Sequence, residues 1–130
     1  MSATPPPTET SGAPPGATGA GPSEDEKNMA MLCHAGGILT GFIIPLVMWK
    51  LKGKESAFVE EHAKEAMNFE LTLLPADFLA FLMIVAVSGA LGVLLWAPVL
   101  IARLGLGIMG TLAALKGQSF KYVINARLIK

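Results

Sequence analysis

The apolar residues of this chain fall in three long runs rather than in stripes. Ala30 to Trp49 carries no formal charge, Met67 to Val87 carries Glu70 and Asp77, and Gly92 to Leu115 carries Arg103. At a rise of 1.5 Å per residue, each run is long enough for a hydrocarbon core of about 30 Å. A half-exposed soluble helix would set charges opposite its apolar stripe, and these runs do not. An Asp or Arg at mid-helix costs roughly 2.5–3.5 kcal/mol on insertion, while each Leu, Ile, Phe or Val returns about 0.3–0.6, so the second and third runs still insert. The pattern predicts an all-α membrane protein whose three transmembrane helices cover 30–49, 67–87 and 92–115, within a domain of residues 29–130.

Two other segments frame these runs. Residues 1–28 contain six of the nine prolines and no Val, Ile, Leu or aromatic residue. Such a stretch buries too little apolar surface to offset its ordering entropy and is expected to be a disordered N-terminal tail. The connection from Ser56 to Asn68 is expected to be an amphipathic helix on the cytoplasmic surface. Ser56 suits its cap, Glu60 precedes Lys64 by one turn, and Phe58, His62, Glu65 and Phe69 share a stripe.

Composition narrows the function classes. Of the 130 residues, 52% are apolar and only 15% charged, against roughly 25% charged in an ordinary soluble domain. Mean hydropathy is positive, at +0.54. Ten basic side chains balance ten acidic ones, so no excess positive charge recruits nucleic acid. A single cysteine, Cys33, excludes an internal disulfide framework and a multi-cysteine metal site. The start Met1-Ser2-Ala3-Thr4-Pro5 lacks the basic cluster and apolar core of a cleaved signal peptide.

Lysines and arginines orient the helices. Lys50, Lys52, Lys54 and Lys64 lie between the first and second runs, and Lys116, Lys121, Arg127 and Lys130 follow the third, whereas Ser88-Gly89-Ala90 is uncharged. Basic connections stay in the cytoplasm. With three crossings the N-terminus is expected outside and the C-terminus inside, with Trp49 and Tyr122 at the inner headgroup level and Trp96 toward the outer one. The basic, apolar C-terminal piece from Phe120 to Lys130 suits an anionic lipid surface.

Few residues could carry chemistry. Asp77 and Arg103 each fall about halfway along their runs and meet at one depth, where pairing offsets the expense of an isolated charge. This intramembrane ion pair reads either as a clamp fixing the register of two helices or as a gate. Glu70, a turn inside the boundary, is expected to snorkel toward water or Lys64. Three crossings place His34 and His62 on opposite sides of the bilayer, unable to share a metal. Pro45, Pro75 and Pro98 predict a kink in each helix. Gly37 and Gly41 give the first helix a small-residue packing face, as Gly105, Gly107 and Gly110 do the third, which favours self-association. No nucleophile paired with a base, phosphate loop or metal spacing is present, so no enzyme, cofactor or metal is expected.

Several stretches resemble a known family: Leu32-Cys33-His34-Ala35-Gly36-Gly37, Ile44-Pro45-Leu46-Val47-Met48-Trp49, Arg127-Leu128-Ile129-Lys130 and, most specifically, the run from Glu55 to Phe69. They are similar to small bacterial integral membrane proteins related to the twenty-kilodalton Tic component of chloroplast protein import. The resemblance implies a helical membrane fold and, by analogy, an accessory or complex-forming role near a translocon in a bacterial inner membrane. Its expected partners are the lipid bilayer and a homo-oligomer or membrane complex, with no nucleic acid. His62, Lys64, Glu65 and Asn68 on the cytoplasmic connection are the expected partner-binding residues. The alternative is a small oligomeric transporter or channel built on Asp77 and Arg103.

Overall fold

The computed structural model describes residues 21–130. Among them the chain forms four helices and no strand: α1 (Glu24–Thr40), α2 (Ile43–Lys52), α3 (Ala57–Ala86) and α4 (Gly89–Leu115). Two of these, α3 and α4, are long and apolar enough to cross a membrane. Helix α1 begins at Glu24, within the segment 1–28 that the sequence suggests is a disordered tail; residues 1–20 of that segment lie outside the described part of the chain.

The first expected span is the main departure. Ala30 to Trp49 is not one helix but two, folded back on each other. Pro45 has no N–H to give the carbonyl of residue 41, and its ring crowds that carbonyl, which weakens a helix through this point, and with Gly41 four residues before it the chain breaks there. Gly41 takes φ 65° and ψ −133°, a conformation essentially confined to glycine. Pro45 then sits in the first turn of α2, where a missing N–H costs nothing. The Thr40 hydroxyl seals the break, donating to the Gly36 carbonyl at 2.8 Å and accepting from the Ile44 amide at 3.2 Å. Glycines let the two arms close: a Cβ on Gly36 would stand 2.3 Å from Ile44 Cγ2.

One carboxylate ties the base of this hairpin to α3. Ser23 and Glu26 form a reciprocal capping box at the start of α1. The other oxygen of Glu26 accepts from the Ser56 hydroxyl at 2.5 Å, and Ser56 in turn caps α3 by accepting from the Val59 amide. The Ser56 hydrogen bond, more than the two from Ser23, holds the Glu26 carboxyl below its ordinary pKa against the opposing effect of burial.

Helices α3 and α4 form a second hairpin, joined through Val87 and Ser88. A Cβ on Gly92 would lie 2.6 Å from the Ile84 nitrogen and 2.8 Å from the Ala80 carbonyl oxygen, so glycine there permits backbone contact. Pro75 and Pro98 lie inside continuous helices. At the other end α4 stops in a Schellman turn, with Gly117 at φ 71° and the Gln118 amide bonded to the Ala113 carbonyl. The chain then runs as an irregular strap, Gln118–Lys130, back over the first turns of α3.

Both hairpins therefore open at the same end. Gly117 abuts the beginning of α1 so closely that a Cβ there would be 3.1 Å from Pro22 Cγ. The folded-back α1–α2 thus brings the start of α1 and the end of α4 to one end of the described bundle, where three full-length helices would have set them at opposite ends. The core sits at this shared end, where Cys33 of α1 packs with Val59, Ala63, Ala66, Phe69 and Leu73 of α3 and with Tyr122 of the strap. Tyr122 stacks on Phe69 with ring centroids 4.0 Å apart. It is buried within the protein rather than exposed at its surface. Beyond Leu73 the pattern inverts, and Leu74, Phe78, Phe81, Val85, Leu94 and Ile101 face outward, as lipid-facing residues do.

Candidate functional site

A seam of polar side chains runs from the strap to the middle of the bundle. Its lower part is a chain of hydrogen bonds through two histidines. The Tyr122 hydroxyl lies 2.6 Å from His34 Nδ1, His34 Nε2 lies 2.8 Å from His62 Nδ1, and His62 Nε2 lies 2.9 Å from the Gln118 carbonyl oxygen. A carbonyl only accepts, so His62 Nε2 carries a proton. With both rings neutral, His34 donates to His62 and Tyr122 donates to His34. Burial above all raises the Tyr122 pKa well above its usual value, which keeps the phenol a donor. Gly110 of α4 makes room for this knot, since a Cβ there would stand 2.6 Å from His34 Nδ1. The separation of His34 and His62 across a bilayer, expected from three crossings, is thus overturned by the turn at Gly41.

The strap occupies the surface expected to receive a partner. Asn68 treats Ile129 as a strand would, donating to its carbonyl at 2.6 Å and accepting from its amide at 2.7 Å. Glu65 accepts from the Tyr122 amide at 2.8 Å and pairs with Arg127 at 3.4 Å. Thr72 accepts from the Ala126 amide. His62, Glu65 and Asn68 are all buried, so the chain satisfies by itself the groups that the sequence offers to another protein. Lys64 alone of the four reaches the surface, where it pairs with Glu60 at 2.5 Å.

The upper part of the seam is a triad. Arg103 of α4 reaches two carboxylates of α3: Nη2 lies 2.6 Å from Asp77 Oδ2 and Nε lies 2.9 Å from Glu70 Oε2. Trp96 Nε1 donates to Asp77 Oδ1 at 3.1 Å, so the indole is tied to the triad. Glu70 is buried and does not snorkel toward Lys64. Its side chain rests against the hairpin, with Oε1 3.4 Å from where a Gly37 Cβ would be. Gly37 and Gly41 therefore serve contacts within the chain, against Glu70 and Pro45. Glu70 and Asp77 are seven residues apart on one helical face, a spacing that marks Glu70 as a third member once α3 is drawn as a helix.

Comparison with known proteins replaces the expected kinship. Neither a curated protein nor a solved structure matches the chain. Residues 25–129 match the family model MamF/MmsF, described as a magnetosome magnetite crystal formation protein family. The resemblance to the Tic-like group is corrected by this match. The residues that carried it, Ser56, His62, Glu65 and Asn68, serve caps and strap docking, so they mark a helical architecture rather than a translocon role. Spanning all the described residues but the first four and the last, the match places this membrane protein in the MamF/MmsF family.

Proposed function

We propose that the chain acts in the membrane of a magnetosome and takes part in magnetite crystal formation as a non-catalytic component of a membrane assembly. The single observation that carries this reading is the family match over residues 25–129. Its basic residues suggest how it sits. Lys50, Lys52, Lys54, Lys116, Lys121, Arg127 and Lys130 gather at the end where both hairpins open, and this end faces the cytoplasm by the positive-inside rule. The joint at Val87 and Ser88 faces the interior of the compartment.

That orientation has a consequence for mechanism. Glu24, Asp25, Glu26, Glu55, Glu60, Glu61 and Glu65 all lie at the cytoplasmic end, and among the described residues the opposite end offers no carboxylate to a mineral surface. The protein then influences the crystal through the membrane and its partners there, not by templating it. The transporter reading has less support, because Phe78 to Ala102 contains no ionisable residue and the polar seam stops at mid-bundle. Deleting the gene in a magnetite-forming cell tests the proposal by electron microscopy. Crystals of altered size or habit, restored by the intact chain, are expected; unchanged crystals would contradict it.

A further inference from the structure

The triad is unbalanced. Two carboxyls, Glu70 and Asp77, face one guanidinium, Arg103. On the hairpin side, Glu70 faces Gly37 and Gly41, neither of them ionisable, and the nearest titratable group of the strap is the phenol of Tyr122. His34, one turn from Gly37, is engaged with His62 and Tyr122. Were both carboxyls ionised, the middle of the bundle would hold a net negative charge among apolar helices, which lipid strongly disfavours. Buried ionisable groups commonly escape that expense by becoming neutral.

Geometry distinguishes the two carboxyls. Asp77 receives three donors: Arg103 Nη2 at 2.6 Å, Arg103 Nη1 at 3.4 Å and Trp96 Nε1 at 3.1 Å. Glu70 receives Arg103 Nε at 2.9 Å and no other donor among the described residues. Its side chain is also the more enclosed, 4% exposed against 25% for Asp77. Hydrogen bonds to a carboxylate stabilise its charged form, so the charge settles on Asp77. We propose that Glu70 is a proton-binding site, holding one exchangeable proton while Asp77 carries the charge paired with Arg103.

Gly37 and Gly41, toward the tip of the α1–α2 hairpin, leave room for the Glu70 carboxyl: a Cβ on Gly37 would stand 3.4 Å from Oε1 and one on Gly41 4.0 Å from Oε2, so loss of the proton places a charge beside the hairpin. This inference rests on the triad and on α3 and α4 lying in lipid; it does not depend on the magnetosome reading and fails separately from it.

Infrared spectroscopy of the full chain in phospholipid nanodiscs at neutral pH tests it. A protonated-carboxyl stretch is expected, shifted by carbon-13 glutamate labelling and not by carbon-13 aspartate, and absent in Glu70→Gln. In Asp77→Asn the band should also vanish, because Glu70 must then ionise to balance Arg103. No band in the wild type, a band that follows aspartate labelling, or one that survives in Asp77→Asn would overturn the proposal. The isotope shift uses the unaltered protein, so it decides the matter even if a variant fails to fold.

Discussion

Arg103 is held on two sides, and that sets what its loss should do. Removing one partner from a buried ionic cluster leaves the others desolvated and unpaired, which costs about 3–5 kcal/mol. Arg103→Met should lower stability by that order in an unfolding titration in mixed micelles, whereas Lys52→Met, whose partner Glu55 is exposed, should change it by less than about 1 kcal/mol. Glu26 makes a prediction about acid. Its pKa is depressed in the folded chain, chiefly by the Ser56 hydrogen bond, so its contribution is complete above the ordinary carboxylate range and is lost as pH falls through the folded value. Ser56→Ala should shrink that acid-side loss in a pH series of melting temperatures; an unchanged profile would argue against the link. Asp77 and Arg103 stand out in the sequence as lone charges in apolar runs. Glu70 does not, because its place near the boundary invites a snorkelling account, and only its spacing from Asp77 hints otherwise.

At the scale of elements, glycine and proline decide more than hydropathy does. The run from Ala30 to Trp49 has the length and apolarity of a span, and those two properties are blind to a chain reversal. The legible signal was the pair Gly41 and Pro45, four apart, which stops one helix and starts another. Gly41→Ala forces a side chain into a glycine-only conformation and should cost about 1–3 kcal/mol, read as faster proteolysis of the α1–α2 hairpin in micelles. Gly92→Ala pushes a methyl group into the backbone of α3 and should cost a similar 1–3 kcal/mol; a neutral result would mean that the two helices are not in backbone contact there. The strap was beyond sequence reasoning. Its docking depends on hydrogen bonds between residues some sixty positions apart, such as Asn68 with Ile129, and no local pattern announces them. Asn68→Ala should speed amide hydrogen exchange across Tyr122–Ile129 while leaving α4 unaffected.

Across the whole molecule, the helical class and the two long apolar helices follow from hydropathy alone, while topology depends on a single turn. If α1 and α2 form a hairpin, both ends of the described chain share a face with the core, the strap and nearly all the charge, and α3 and α4 are the crossings. The membrane-impermeant maleimide labelling of single cysteines in sealed, oriented vesicles, made in a Cys33→Ser background, measures this directly. Ser23→Cys and Ser119→Cys should react from the same side, and Ser88→Cys only from the other. Reaction of positions 23 and 119 from opposite sides would contradict the folded-back hairpin and, with it, the meeting of His34 and His62.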